Sequence, residues 1–104
     1  MALASRWHKR AAAEFEETLQ YVNGEFGTRV AERLYDEVSA RIVQLCQFPD
    51  LGLPYKDLFY QGYQVRILHM RRSSIIYCHD SLTLFILSFW NNRRNPEDLL
   101  TLLS

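Results

Sequence analysis

An α+β domain is predicted, two layers deep, with a helical hairpin packed on an antiparallel sheet. Three observations point there. Two segments carry apolar residues at helical spacing and are parted by only a few residues. Three shorter segments beyond them are rich in β-branched and large apolar residues. The connections between those three are short and polar, which forces antiparallel pairing. The predicted order is β-α-α-β-β-β, closed by a short C-terminal helix, so that one sheet face buries the hairpin. At 104 residues the chain is expected to be a single domain, 1–104, with one core.

Each element has its own warrant. The opening ALASRW reads as a short strand, although its alternation is weak. From Ala11 to Asn23 the apolar residues Ala11, Phe15, Leu19 and Val22 form one helical stripe, with Glu14, Glu17 and Gln20 on other faces. Asn23-Gly24 is the expected stop, since both residues tolerate the left-handed conformation. Gly27-Thr28 permits a restart with Thr28 as N-cap. The second helix is predicted from Arg29 to Gln47, roughly 28 Å long, with Ala31, Leu34, Val38, Ile42 and Leu45 on its apolar stripe. Pro49 ends it, because the residue before a proline is driven out of the helical region.

Asp50 to Pro54 has loop chemistry, and Tyr55–Gly62 is aromatic but broken by polar residues, so no regular element is assigned there. Strands are predicted at Tyr63–Met70, Ser74–His79 and Leu82–Phe89, paired as a meander. In the last, strict alternation puts Leu82, Leu84, Ile86 and Ser88 on one face and Thr83, Phe85, Leu87 and Phe89 on the other. Apolar residues on both faces mark a central strand covered on both sides. Beyond it, Asn95 suits a cap, Pro96 a first helical position, and Glu97 and Asp98 the first turn of a final helix, Glu97–Leu103.

Composition narrows the function classes. The chain is 48% hydrophobic and 23% charged, with a net charge of zero. No apolar run approaches the ~20 residues of a membrane helix, and the N-terminus lacks the apolar core of a signal peptide. A cytoplasmic location without a membrane partner is therefore expected. Cys46 and Cys78 match no metal-binding spacing and read as small buried hydrophobes, so no metal and no cofactor are expected. The zero net charge hides a polarised distribution. Between Arg66 and Asn95 stand Arg66, Arg71, Arg72, Arg93 and Arg94 against Asp80 alone, whereas acids outnumber arginines between Ala11 and Gln47. Such a chain can present a basic face, but a protein that grips many phosphates carries a larger basic excess.

Taken in order, these pieces resemble the RelE/ParE superfamily, the toxins of type II toxin–antitoxin and plasmid-stabilisation modules. The likeness begins at Trp7, continues through Leu19, Tyr21, Val22 and the Gly27 break, and includes Leu45, Pro49 and Gly52. In the sheet it takes in Val65-Arg66-Ile67, Ile75-Ile76-Tyr77, Leu84-Phe85-Ile86-Leu87 and Arg93-Arg94-Asn95-Pro96. The resemblance implies a growth-inhibitory protein held inactive by a cognate antitoxin, as a homodimer or a toxin–antitoxin hetero-oligomer. Two activities occur among such proteins. ParE-like members poison DNA gyrase, and RelE-like members cut mRNA in the ribosome.

Cutting RNA requires a group that takes the 2′-OH proton, one that protonates the leaving oxygen, and cations for the phosphorane. In the RelE-like branch a histidine often stands just past the last strand, and here that position is Asn91, whose amide moves no protons. The preferred reading is therefore ParE-like binding of gyrase, with the ribosome-dependent nuclease as the alternative and a non-toxic antitoxin-binding relative as a third. For a nuclease the candidates are Arg66, Tyr77, Arg93 and Arg94, with His69 and His79 read as structural groups at strand ends. For target or antitoxin binding they are Arg66, Arg71, Arg72, Asn91, Arg93 and Arg94. Arg66 has two open readings, a phosphate- or carboxylate-facing guanidinium and a salt bridge to an acid of the helical hairpin. Tyr77 occupies the place of the family's packing tyrosine.

Overall fold

The computed structural model describes residues 2–92. Its elements are β1 (Ala4–Trp7), α1 (Lys9–Phe26), α2 (Thr28–Gln47), β2 (Leu53–Tyr60), β3 (Tyr63–His69), β4 (Ser73–His79) and β5 (Thr83–Asn91). The five strands form one sheet in the order β1-β5-β4-β3-β2. β1 runs parallel to β5, and every other neighbouring pair is antiparallel. The α+β class and the helical hairpin on a sheet are as the sequence predicts. The C-terminal helix predicted over Glu97–Leu103 lies outside the described residues. No helix among the described residues is long and apolar enough to cross a membrane.

The hairpin closes through a single residue. α1 runs three residues past the Asn23 stop, and Gly27 alone joins it to α2 at φ 95° and ψ 167°. That region of backbone space is nearly exclusive to glycine, so the reversal sits at Gly27 rather than at Asn23-Gly24. Thr28 is the first residue of α2 instead of its cap. Its hydroxyl donates to the Asn23 Oδ1 at 2.9 Å and ties the two helices together at the turn.

The sheet has an apolar cluster on each side. On the helix side, Ala11 and Phe15 of α1 and Val38, Ile42, Leu45 and Cys46 of α2 pack with Ile75, Tyr77, Leu84, Ile86 and Phe89. Phe15 is the hub. Its ring lies 5.4 Å from Trp7 of β1, 6.1 Å from Tyr35 of α2 and 5.0 Å from Phe89 of β5. On the other side, Val65, Ile67, Ile76, Cys78, Leu87 and Trp90 pack with Tyr55, Leu58, Tyr60 and Phe85.

Two irregularities depart from simple alternation. Between β4 and β5, Ile76 pairs with Ser88 but Tyr77 pairs with Ile86, which leaves Leu87 as an extra residue. This bulge reverses the facing of the residues beyond it. Phe89 therefore joins Leu84 and Ile86 under the helices instead of facing Leu87's way. Glu14, expected on a face of α1 other than the apolar stripe, reaches the kink, where its carboxylate accepts from the Ser88 hydroxyl at 2.9 Å and the Phe89 amide at 3.3 Å.

The second irregularity is β2 itself, an edge strand absent from the predicted order. It pairs with β3 only near its ends, at Leu53, Pro54, Phe59 and Tyr60. Between them the chain bulges, with Lys56 at φ 50°. The Gln64 amide spans the gap, donating to the Lys56, Leu58 and Val65 carbonyls at 3.2, 3.0 and 2.9 Å. Pro54 is tolerated because an edge strand need not donate on its open side. A strand so interrupted has no period-two signature to detect.

Candidate functional site

The candidate residues among those described gather at two places. The first is the loop between α2 and β2. Tyr77, on β4, is fully buried, and its hydroxyl is committed at both ends. It accepts from the Gly52 amide at 2.9 Å and donates to the Pro49 carbonyl at 2.7 Å. Burial pushes this phenol up from its ordinary range, and the Gly52 hydrogen bond opposes that rise. A Cβ on Gly52 would stand 2.6 Å from the Tyr77 hydroxyl and 3.0 Å from the Ile67 carbonyl oxygen, so only glycine allows this approach.

Arg66, facing Tyr77 across the β3–β4 ladder, serves the same loop. Its Nη1 donates to the Gly52 carbonyl at 2.8 Å, and its Nη2 lies 3.4 Å from Asp50 Oδ1. His79 approaches from the end of β4, with Nε2 2.9 Å from the same oxygen and Nδ1 3.1 Å from the Asp80 carbonyl. The His79 hydrogen bond first, and the Arg66 charge after it, hold the Asp50 carboxyl below the usual carboxylate range. The ion pair of Arg66 is thus with the loop acid Asp50, not with an acid of the hairpin. Arg66, Tyr77 and His79 form one latch on the chain between Pro49 and Gly52.

The second place is a groove of about 320 Å³ between the closed end of the helical hairpin and the β3–β4 turn. Tyr21, Val22, Phe26, Val30, Leu34 and Met70 form most of its lining. Arg71, Arg72 and Ser73 border it from the turn, Arg33 and Glu37 from α2, and Asn91 from the end of β5. None of the three arginines forms an ion pair among the described residues. Beside the groove, His69 Nδ1 lies 2.9 Å from the Ser74 hydroxyl, which donates to Asn92 Oδ1 at 2.6 Å. Asn92 in turn donates its backbone amide to the Arg72 carbonyl at 3.1 Å, which fixes the turn against the exit of β5.

Arg71, Arg72 and Asn91 are therefore brought together, while Arg66 lies five residues back along β3, roughly 16 Å away at strand rise. Arg93 and Arg94 lie outside the described residues. Arg33 and the groove aromatics went unrecognised in the sequence. The available signal was the run Val22, Phe26, Val30 and Leu34, which keeps a four-residue spacing across the helix break at Gly27. Both thiols are buried, and desolvation pushes Cys78 up to about 11, which leaves it un-ionised and unreactive. No group of three His, Cys, Asp or Glu among the described residues is arranged to hold a metal ion.

Chemically, the groove offers apolar contact rimmed by the carboxylate of Glu37 and by three guanidinium groups that have no ion-pair partner among the described residues. The latch offers a preformed loop whose Pro49 carbonyl and Gly52 amide and carbonyl are already bonded to Tyr77 and Arg66. The family model for the ParE toxin of the type II toxin–antitoxin system parDE matches residues 5–96. Among solved structures, a chain from the chromosomal ParDE toxin–antitoxin system of P. aeruginosa superposes with a TM-score of 0.66 at 16% identity. The match covers 86% of this chain and 96% of that one. At that identity the likeness bears on the fold alone. None of the curated proteins matches.

Proposed function

This chain belongs to the ParE toxin family of type II toxin–antitoxin systems, and from that premise we propose that it arrests growth by binding and trapping DNA gyrase and is neutralised by an antitoxin seated in the groove. The observation that carries the proposal is the groove itself, apolar in its lining and bordered by Arg33, Arg71 and Arg72 without ion-pair partners among the described residues.

Such a surface suits an amphipathic segment that lays apolar side chains on Tyr21, Phe26 and Val30 and carboxylates against the guanidinium groups. An acidic antitoxin gains affinity from the apolar contact and its register from the charges. The proton-transfer candidates have other work. The Tyr77 hydroxyl holds the Pro49–Gly52 loop, and His79 holds Asp50. Asn91, at the groove, has no useful acid or base chemistry. These placements favour a toxin that acts by binding rather than by cleaving RNA.

The test is direct. Purified protein added to a gyrase reaction is expected to inhibit supercoiling or to accumulate cleaved DNA complexes, and co-expressed antitoxin is expected to restore growth. An unaffected gyrase at concentrations that arrest growth overturns the gyrase assignment. Codon-dependent message cleavage on translating ribosomes would replace it with the nuclease reading.

A further inference from the structure

Among the described residues the groove has one acidic side chain on its border, Glu37 of α2, beside the guanidinium groups of Arg33, Arg71 and Arg72. Glu37 is exposed, and its carboxylate forms no ion pair or hydrogen bond among the described residues. Two arginines are spaced to pair with it. Arg33 stands one helical turn before Glu37 and Arg41 one turn after, the separation at which ion pairs form along a helix. Arg41 turns away and donates to Gln44 Oε1 at 3.1 Å. Arg33 precedes its acid, which is the weaker order for such a pair, and the two do not meet. α2 therefore offers the groove a cation and an anion about 6 Å apart along its axis, each uncommitted among the described residues.

In the open groove, water solvates the Glu37 carboxylate. A segment laid on Tyr21, Phe26 and Val30 removes that water. A carboxylate left unpaired beside apolar side chains then carries a desolvation penalty. Arg33 cannot relieve it while it holds a carboxylate of the ligand. A uniformly acidic segment thus meets three attractive groups and one that repels it. An unpaired or repelled charge of that kind is what separates one partner from a close competitor. A segment that brings a cation to the same point avoids the penalty.

We propose that Glu37 is the residue by which the groove selects its antitoxin. The cognate segment sets a lysine or arginine on Glu37 and a carboxylate on Arg33, and a segment acidic throughout is rejected. The two charges on the ligand stand about one helical turn apart, or on alternate residues of a strand, roughly 6.6 Å apart. This deepens, and rests on, the reading of the groove as the antitoxin seat.

The experiment uses the full chain as wild type, Glu37→Gln and Glu37→Arg. The probe is the antitoxin encoded by the reading frame beside this gene, identified by its rescue of growth and purified. Its affinity for each toxin is measured by titration, with thermal melts alongside. Glu37→Gln is expected to weaken binding about tenfold and Glu37→Arg about a hundredfold, with melting unchanged. Each lysine and arginine of the antitoxin is then changed to glutamate in turn. One of these changes is expected to restore binding to Glu37→Arg while weakening binding to wild type.

The sign of the effect decides. A ligand that is acidic throughout binds Glu37→Gln and Glu37→Arg more tightly than wild type, and that result overturns the proposal, as does unchanged affinity. A scan in which no antitoxin variant restores binding to Glu37→Arg overturns it as well. Should Glu37→Arg melt early, the sign of the change in Glu37→Gln decides alone. If no neighbouring product rescues growth, or if Arg71→Glu with Arg72→Glu leaves its binding unchanged, the antitoxin reading of the groove itself fails. Tighter binding by Glu37→Gln with weaker binding by the arginine variant removes only the role of Glu37.

Discussion

Helix α2 borders two arginine-bearing regions, and they differ in what the arginines face. At the loop end, Arg66 is mostly sheltered, bonded to the Gly52 carbonyl and paired with Asp50. At the groove end, Arg33, Arg71 and Arg72 border an apolar hollow and form no ion pair among the described residues. A guanidinium that is already bound has little left to give a ligand. One held beside apolar surface without an ion-pair partner can still take up a ligand's carboxylate. The same residue type is thus structural at one end of the helix and available for binding at the other.

Charge reversal at the groove should break this contrast most strongly. Arg71→Glu with Arg72→Glu sets like charges against an acidic antitoxin segment, at a cost of about 3 kcal/mol, or over a hundredfold in Kd. The melting temperature should stay nearly constant, as expected for exposed side chains outside any network. Titration of the antitoxin into wild-type and variant protein, with thermal melts alongside, checks both halves. A variant that melts early but still binds would reverse the assignment of the two ends.

The loop end should respond in the opposite sense, through stability. Gly52→Ala forces a methyl group against the Tyr77 hydroxyl and the Ile67 carbonyl, an overpacking worth about 3 kcal/mol. Tyr77→Phe is milder. It leaves the buried Gly52 amide without its acceptor and the Pro49 carbonyl without its donor, at a cost of about 2 kcal/mol. Denaturant unfolding should register both losses. Equal stability of wild type and Tyr77→Phe would mean that the latch is idle.

The smallest effect is electrostatic and concerns Asp50. Its pKa is lowered in the folded protein, so its contribution to stability is present above the ordinary carboxylate value of about 4. That contribution is lost as pH falls through the folded value. Asp50→Asn should therefore be slightly less stable than wild type at neutral pH, and the gap should close as the solution is acidified below about pH 4. Melting curves across that range measure the gap. A gap that widens in acid would contradict the pairing with His79 and Arg66.

By itself the sequence determined the class of the fold, because periodicity is a local property. The stripe Val38, Ile42 and Leu45 sits on one helix face whatever packs against it, and short connections after β3 and β4 leave antiparallel pairing as the only option. It also separated Asn91 from proton chemistry, since an amide has none in any environment. Tertiary structure alone decided the rest. The bulge at Leu87 turned Phe89 under the helices, and β2 completed the sheet by pairing only at its ends. Neither irregularity leaves a period to read. The partners of Arg66 and the surroundings of Arg71 and Arg72 were equally hidden, because a side chain's counter-charge comes from whatever distant segment the fold brings beside it. Asp50 reached Arg66 and His79 by that route, and Arg71 and Arg72 were brought instead to an apolar hollow.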